Sequence, residues 1–332
     1  MNEKRCLALF SGGLDSLLAM KVMKNAGIEV IGLNFDTGFF FGAYREENGV
    51  KKYKAPVPPD YDIRVVDISK EFFEMMKQPK HGFGKHMNPC IDCKIFMLRK
   101  AKELLTEYDA GFIITGEVLG QRPMTQNMRS MKVIEADAGV TGYLLRPLCA
   151  KNLEMTEPEK LGWVDREKLL NIQGRTRTTQ LALAKEWGLE AYVKPPAGGC
   201  ILTEEVYSRR LIDHLKYHKE MSKEEMRLLN VGRHFRNGSY KFIVGRKEPE
   251  NNELLKLSKG AYVFDAVNSP GPVAVTFDEV DEEAKKFIAS VTAGYSDAKE
   301  KDTAEVRVVK EGREEIFSVK PFLPAQIAEK NI

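Results

Sequence analysis

The sequence predicts an α/β protein, a doubly wound parallel sheet followed by a smaller α+β domain. Three observations carry that expectation. Short apolar runs alternate with helical periodicity through the first two hundred residues, and this alternation implies parallel strands with helices on both faces and right-handed crossovers. Beyond about residue 230 the pattern changes to hairpin-like strands with Asn-Gly or Glu-Gly turns. The chain has 332 residues, enough for two or three domains.

In order, "CLALF" (6–10), "VIGLNF" (30–35), "IRVVDI" (63–68), "GFIITG" (111–116) and "YLLRPL" (143–148) read as buried strands. Helical patterns lie near 14–26, 69–77, 91–107, 165–171 and 177–187. Residues 37–60, "TGFFFGAYREENGVKKYKAPVPPD", fit neither period and read as a long loop, a kind usually functional or mobile. The expected organisation is a domain over 1–203, a helical connector over 204–230 and a second domain over 231–332.

Apolar residues make up 43% of the chain and charged residues 30%, ordinary values for a globular protein. No run approaches the roughly 18 apolar residues of a membrane span, and the N-terminus lacks a signal-peptide pattern; a cytoplasmic protein with no membrane partner is expected. Net charge is only +3, but residues 207–247 hold eleven Lys/Arg against four Asp/Glu. That excess is either a solvated helix face or an RNA-facing surface. Five cysteines, an odd number, argue against a disulfide framework. Cys6 and Cys149 sit in apolar runs and read as packing residues.

The stretch "LALFSGGLDSLLAMKVM" (7–23) is the most informative. A strand ends at Ser11, Gly12 and Gly13 open the backbone, and helical periodicity begins at Leu14. The free N–H groups and positive dipole of such a helix start make an anion site. Ser11 and Ser16 add hydroxyls. Asp15, a carboxylate beside a phosphate, makes sense if it receives magnesium or the positively charged part of a phosphate clamp. A bare strand-to-helix turn with polar caps is the bland alternative.

"SGGLDS" resembles the SGGxDS pyrophosphate loop of the N-type (PP-loop) ATP pyrophosphatases, whose sheet is of the adenine nucleotide alpha hydrolase type. The resemblance implies that Ser11, Gly12, Gly13, Leu14, Asp15 and Ser16 bind ATP with Mg²⁺, and that Asn34 and Phe35 lie near the adenine. "TGEVLGQRPMTQN" (115–127) resembles the TGE-x-LGQ-x-x-SQ segment of 4-thiouridine synthetases at Thr115, Gly116, Glu117, Leu119, Gly120, Gln121 and Gln126; this adds Gly116 and Gln121 to the nucleotide set. "LLRPL" (144–148) with Lys151 resembles that family's next strand, with Ala150 where Asp is usual. The usual N-terminal RNA-binding region and rhodanese-like domain are not seen here, so RNA recognition and sulfur delivery are expected by other routes.

"NPCIDCK" places Cys90 and Cys93 at the mouth of a helix, and "PPAGGCILT" holds Cys200 after Gly198 and Gly199. The trio reads three ways: a zinc site completed by His81 or His86, a persulfide carrier and resolver, or a [4Fe–4S] cluster on three thiolates with one open iron. The last arrangement resembles the cluster-dependent tRNA thiolases. The other histidines, His214, His218 and His234, are expected to face RNA or solvent rather than a metal.

"VGRHFRNGSYKFIVGRKEPENNELLKL" with a later "SPGPVAVTF" resembles the NFACT-R (DUF814) RNA-associated domain. The resemblance implies phosphate contacts from Arg209, Arg210, Arg233, Arg236, Lys241 and Arg246, while Phe235, Tyr240 and Phe242 read as core at strand spacing rather than as stacking platforms for unpaired nucleotides. Together these readings imply a tRNA uridine thiolase that adenylates a uridine carbonyl, with Asp15, Cys90, Cys93 and Cys200 as catalytic residues. Its expected partners are tRNA and a sulfur donor, and a homodimer is compatible with it. The alternatives are a PP-loop enzyme acting on a small molecule and a non-catalytic RNA-binding nucleotide sensor.

Overall fold

The computed structural model describes residues 2–41, 43–193 and 199–332. It divides into two compact units, Met1–Thr203 and Glu204–Ile332.

The first unit is built on a five-stranded parallel sheet in the order β5-β2-β1-β6-β7. Its strands and helices run β1 Asn2–Leu9, α1 Leu14–Asn25, β2 Glu29–Asp36, β3 Tyr44–Glu47, β4 Val50–Tyr53, β5 Asp62–Asp67, α2 Ser69–Lys77, α3 Cys90–Leu104, β6 Ala110–Thr115, α4 Met128–Ala138, β7 Leu144–Leu145, α5 Glu157–Lys160 and α6 Thr178–Glu186. Central strands covered on both faces must be apolar throughout. Accordingly every residue of β6 is buried, as are the last seven of β2. Leu7 of β1 pairs with Ile31 on one side and Ile113 on the other. Helix α1 packs with α6, and α2, α3 and α4 pack in succession, so helices cover both faces. The chain leaves β1 toward β2 and later returns to β1's other side as β6. The order therefore reverses between β1 and β6, and a crevice opens at their carboxyl ends.

Three elements differ from expectation. Residues 37–60 are not a plain loop, because β3 and β4 form an antiparallel hairpin there. Its two-residue turn is Asn48-Gly49, both with positive φ (53° and 75°), the backbone that a tight hairpin requires. The strands "YREE" and "VKKY" are too polar to show apolar alternation. The "YLLRPL" strand shrinks to Leu144–Leu145, since Pro147 cannot donate to a ladder. The helix expected over 165–171 is one 3-10 turn, Arg166–Lys168.

The second unit begins with α7 (Glu205–Tyr217) and α8 (Lys223–Leu228), separate helices because Ser222 and Glu225 form a capping box between them. Then come β8 Arg233–Asn237, β9 Tyr240–Val244, α9 Glu248–Leu257, β10 Tyr262–Ala266, β11 Val273–Thr276, α10 Glu282–Gly294, β12 Ala304–Lys310 and β13 Arg313–Val319. The strands form an antiparallel sheet in the order β13-β12-β10-β11-β9-β8. One face packs on α10 around Phe235, Phe242, Phe264 and Ile288. Leu228, Ile243, Leu254 and Val275 form a separate apolar cluster. No described helix is long and apolar enough to cross a membrane.

Candidate functional site

The β1–α1 turn is tight because Gly12 takes a left-handed φ of 74°. Gly13 is the N-cap of α1 and supplies no side-chain hydrogen bond, so the orphan N–H groups of the first turn are left for a ligand. Around them, Ser16 Oγ donates to Gly13 O at 2.8 Å and lies 3.3 Å from Ser11 Oγ. Leu14 is buried in the core and anchors the helix start.

Gly116, just past β6, meets this turn from the other side of the crevice. A Cβ on it would lie 2.5 Å from Asp15 C and O and 2.7 Å from Ser16 N. Only glycine permits that approach, and it explains the residue's place in "TGE". Asp15 accepts from Gln121 Nε2 at 2.7 Å and faces Arg177 Nη2 at 3.4 Å, while Gln180 Nε2 donates to Gln121 Oε1 at 3.0 Å. Asp15 Oδ1 is buried with no hydrogen-bond partner. An orphaned carboxylate oxygen beside a helix N-terminus fits a Mg²⁺ ligand, since hard cations take oxygen donors.

Asn34 is buried at the end of β2, where its Nδ2 donates to Phe10 O at 2.7 Å and its Oδ1 has no partner. Phe35 is buried and its carbonyl accepts from Tyr44 Oη at 3.2 Å. The hairpin is tied to this edge by Lys51, 2.6 Å from both Asp36 and Asp67, and Tyr53 packs edge-on against Phe10.

Cys90 and Cys93 open α3. Cys90 Sγ donates to Asn88 Oδ1 at 3.0 Å. Burial pushes the Cys93 thiol up to about 12, and the nearby Cys200 adds to that shift. Burial also raises Cys200, which feels Cys90 as a neighbour. Burial likewise raises Cys90, with Asn88, Lys94 and Arg122 pulling the other way. Met87 N donates to Leu202 O at 3.2 Å, which stitches the two cysteine segments together. The three thiols thus share one neighbourhood. Among the described residues, no three His, Cys, Asp or Glu side chains form a metal cage. His81 pairs instead with Asp137 at 2.8 Å. Gly198 lies outside the described residues.

Lys94 links the thiols to the crevice. Its Nζ lies 3.4 Å from Glu117 Oε1, while Glu117 Oε2 accepts from Arg146 Nε and Thr115 Oγ1, each at 3.0 Å. Burial alone would raise Glu117, but Lys94 and Arg146 outweigh it and hold the carboxyl at about 2. Arg146 also pairs with Glu135. Cys149 donates to the Glu117 carbonyl and is buried, as is Cys6. The path Cys93–Lys94–Glu117–Gly116–Asp15 therefore puts the thiols and the β1–α1 turn at the same carboxyl edge. Glu117 and Arg146 stand inside the quoted motifs, but their pairing is not readable from sequence. Arg177 and Gln180 carried no signal at all.

In the second unit the proposed RNA contacts divide. Arg209 is exposed. Arg246 is exposed and bound to Glu250 at 2.6 Å. Arg233 is half-buried over the Tyr295 ring. Arg236 is held by Asp213 at 2.7 Å and stacks on Tyr217 at 3.8 Å. Arg210 is buried, donating to Leu229 O at 2.7 Å and Gly232 O at 3.1 Å. Burial lowers Lys241 to about 8. As placed, Arg210, Arg236 and Lys241 are internal groups. His214 and His234 are buried against carbonyls rather than facing solvent, with only His218 partly exposed. Phe235 and Phe242 are core, stacked at 5.2 Å.

Residues 1–157 match the family of thiamine biosynthesis protein (ThiI), and residues 232–331 match the NFACT protein RNA binding domain. A probable tRNA sulfurtransferase of Thermococcus kodakarensis is 28% identical over 186 residues, 55% of this chain and 44% of that protein. A tRNA-specific 2-thiouridylase MnmA of Petrotoga mobilis is 34% identical over 138 residues, 36% of each chain. A solved 4-thiouridine synthetase–RNA complex with bound ATP is similar at TM-score 0.39 and 20% identity, over 61% of this chain and 46% of that one. The chain spans less than half the length of these curated relatives. Residues 1–157 are thus similar to the ThiI family and residues 232–331 to the NFACT protein RNA binding domain.

Proposed function

We propose that this chain thiolates a uridine of tRNA at the expense of ATP. The observation that carries the reading is the shared edge, where an anion turn with an orphaned carboxylate oxygen is linked through Lys94 and Glu117 to three thiols. Similarity to tRNA sulfurtransferases and the NFACT-R match support RNA as the substrate.

In this reading the triphosphate lies on the N–H groups after Gly13, with Ser11 donating, the Ser16 hydroxyl turning to it from Gly13 O, and Asp15 holding Mg²⁺. Asn34 and Phe35 border the adenine, and Gln121 and Arg177 fix the Asp15 carboxylate. The uridine carbonyl oxygen attacks the α-phosphorus, the base gives up its N3 proton, and pyrophosphate leaves. The O-adenylyl group turns a poor leaving group into AMP. A sulfur nucleophile adds at that carbon and the C–O bond breaks. Positioning and phosphate-charge stabilisation supply most of the rate, and an unpaired or flipped uridine is required.

Cys90, Cys93 and Cys200 are the residues that would hold a [4Fe–4S] cluster. Their donor chemistry fits it, being three soft thiols in one neighbourhood, and metal binding can draw such ligands together. Held by these three thiolates, it would supply an iron able to take an incoming sulfide.

The test is an anaerobic preparation given ATP, Mg²⁺, sulfide and unmodified tRNA, with pyrophosphate release and thiolated nucleosides measured. Both should require tRNA, and iron and labile sulfide should co-purify and be lost in Cys200→Ala. Pyrophosphate release indifferent to tRNA sinks the substrate assignment. Thiolation without iron that fails with sulfide, proceeds with a persulfide donor and still needs these cysteines moves the chemistry to persulfide transfer.

A further inference from the structure

A cavity of about 40 Å³ lies in the second unit, between the α7–α8 region and the ends of β9 and β11. Its floor is apolar, with Leu228, Ile243 and Val275. Its polar wall holds Lys241, His214, His218, Glu225, Thr276 and Asp278.

Glu225 Oε2 accepts from Ser222 N and Oγ at 2.9 and 2.8 Å, and Thr276 Oγ1 donates to Lys241 O at 2.6 Å. The Lys241 ammonium makes one long hydrogen bond, to Arg210 O at 3.4 Å, which leaves donor capacity for something in the cavity. Asp278 accepts from Lys241 N at 2.6 Å and faces His218 Nε2 at 3.1 Å. The His214 and His218 rings stack at 4.8 Å. His218 is 39% exposed and marks the mouth.

A phosphate does not suit this wall, because Asp278 and Glu225 would repel it and the floor is apolar. No described trio of metal-ligating side chains surrounds it. The volume admits about three waters, the count of polar atoms along one edge of a nucleobase. Such an edge presents acceptors to Lys241 and donors to the carboxylates, while its ring stacks on the His218 imidazole.

We propose that this cavity takes the edge of one unpaired nucleobase, giving the second unit a base-dependent contact separate from its phosphate contacts. The inference rests on the reading that this unit meets RNA. The base belongs to an RNA strand or to a free nucleotide, and the test separates these.

The full chain is titrated with fluorescent oligouridylate, oligocytidylate and oligoadenylate, and with an abasic oligomer of equal length. The native chain should bind at least one base-bearing oligomer about tenfold more tightly than the abasic one, the scale of a single stacked base. In His218→Ala and Lys241→Met, checked for an unchanged thermal transition, that ratio should fall to within twofold. His218→Ala, at a partly exposed position, keeps the test valid if Lys241→Met fails to fold. Competition by nucleoside monophosphates at micromolar levels assigns the cavity to a free nucleotide, and none below millimolar assigns it to a strand. A ratio that survives both variants overturns the cavity's role, as does a native chain that binds base-bearing and abasic oligomers alike. A native chain that binds no oligomer overturns the RNA reading itself, and this inference with it.

Discussion

Gly116→Ala is the most direct perturbation of the proposed nucleotide site. The new methyl would sit 2.5 Å from Asp15 C and O, against an ordinary limit near 3.4 Å. Relief requires the first turn of α1 or the end of β6 to move by about 0.9 Å, the difference of those two distances. The obstacle is backbone, so no side chain can rotate away. Overpacking of this kind costs about 1–3 kcal/mol, a fall in Tm of roughly 2–12 °C for a unit of this size. Function should suffer more, since a displacement of about 1 Å in a positioned site costs on the order of a hundredfold. The assay is ATP-dependent pyrophosphate release, with thermal melting alongside. Gly27→Ala is the control: its φ is also positive, at 84°, but nothing lies within 4 Å of the added methyl. It should lose stability and keep turnover. A Gly116→Ala protein with native pyrophosphate release would refute the assignment of this crevice.

Glu117→Gln should cost about 3–5 kcal/mol at pH 7, because it leaves Lys94 and Arg146 short of their buried partner. The folded carboxyl is depressed from 4.5 to about 2. Its contribution is therefore complete above pH 4.5 and disappears as pH falls through about 2. Urea unfolding at pH 7 and pH 3 should show a larger penalty at pH 7, and equal penalties contradict the pairing. Arg210→Met should destabilise the second unit by about 2 kcal/mol by stranding the Leu229 and Gly232 carbonyls. Arg209→Met, on the exposed neighbour, should leave stability within about 0.5 kcal/mol but lower the salt slope of RNA binding by about one. Reversed outcomes in chemical denaturation and salt titration would reverse those roles.

Local physics was legible without coordinates where it repeats along the chain. The alternation of apolar runs and helical faces yields the parallel sheet, and "SGGLDS" after the first strand marks the tight β1–α1 turn. Asn48-Gly49 carries a hairpin signal just as local, but its polar flanks hide the strands. The basic tally over residues 207–247 was the poorest guide. Charge is counted in sequence, whereas burial is not, and Arg210, Arg236 and Lys241 were drawn inward by carbonyl and carboxylate partners.

By itself the sequence determined the kinds of chemistry present: a glycine turn before a helix, a Cys-x-x-Cys pair, a third thiol and a basic stretch. Those follow from neighbours a few residues apart. Only the tertiary structure decided that Gly116 lies against Asp15, that Lys94 joins the thiols to Glu117, and that Arg177 and Gln180 belong to the same network. Those contacts depend on the strand order that places β6 beside β1, and on the burial that makes each unpaired charge costly. Neither quantity is a property of any short stretch of chain.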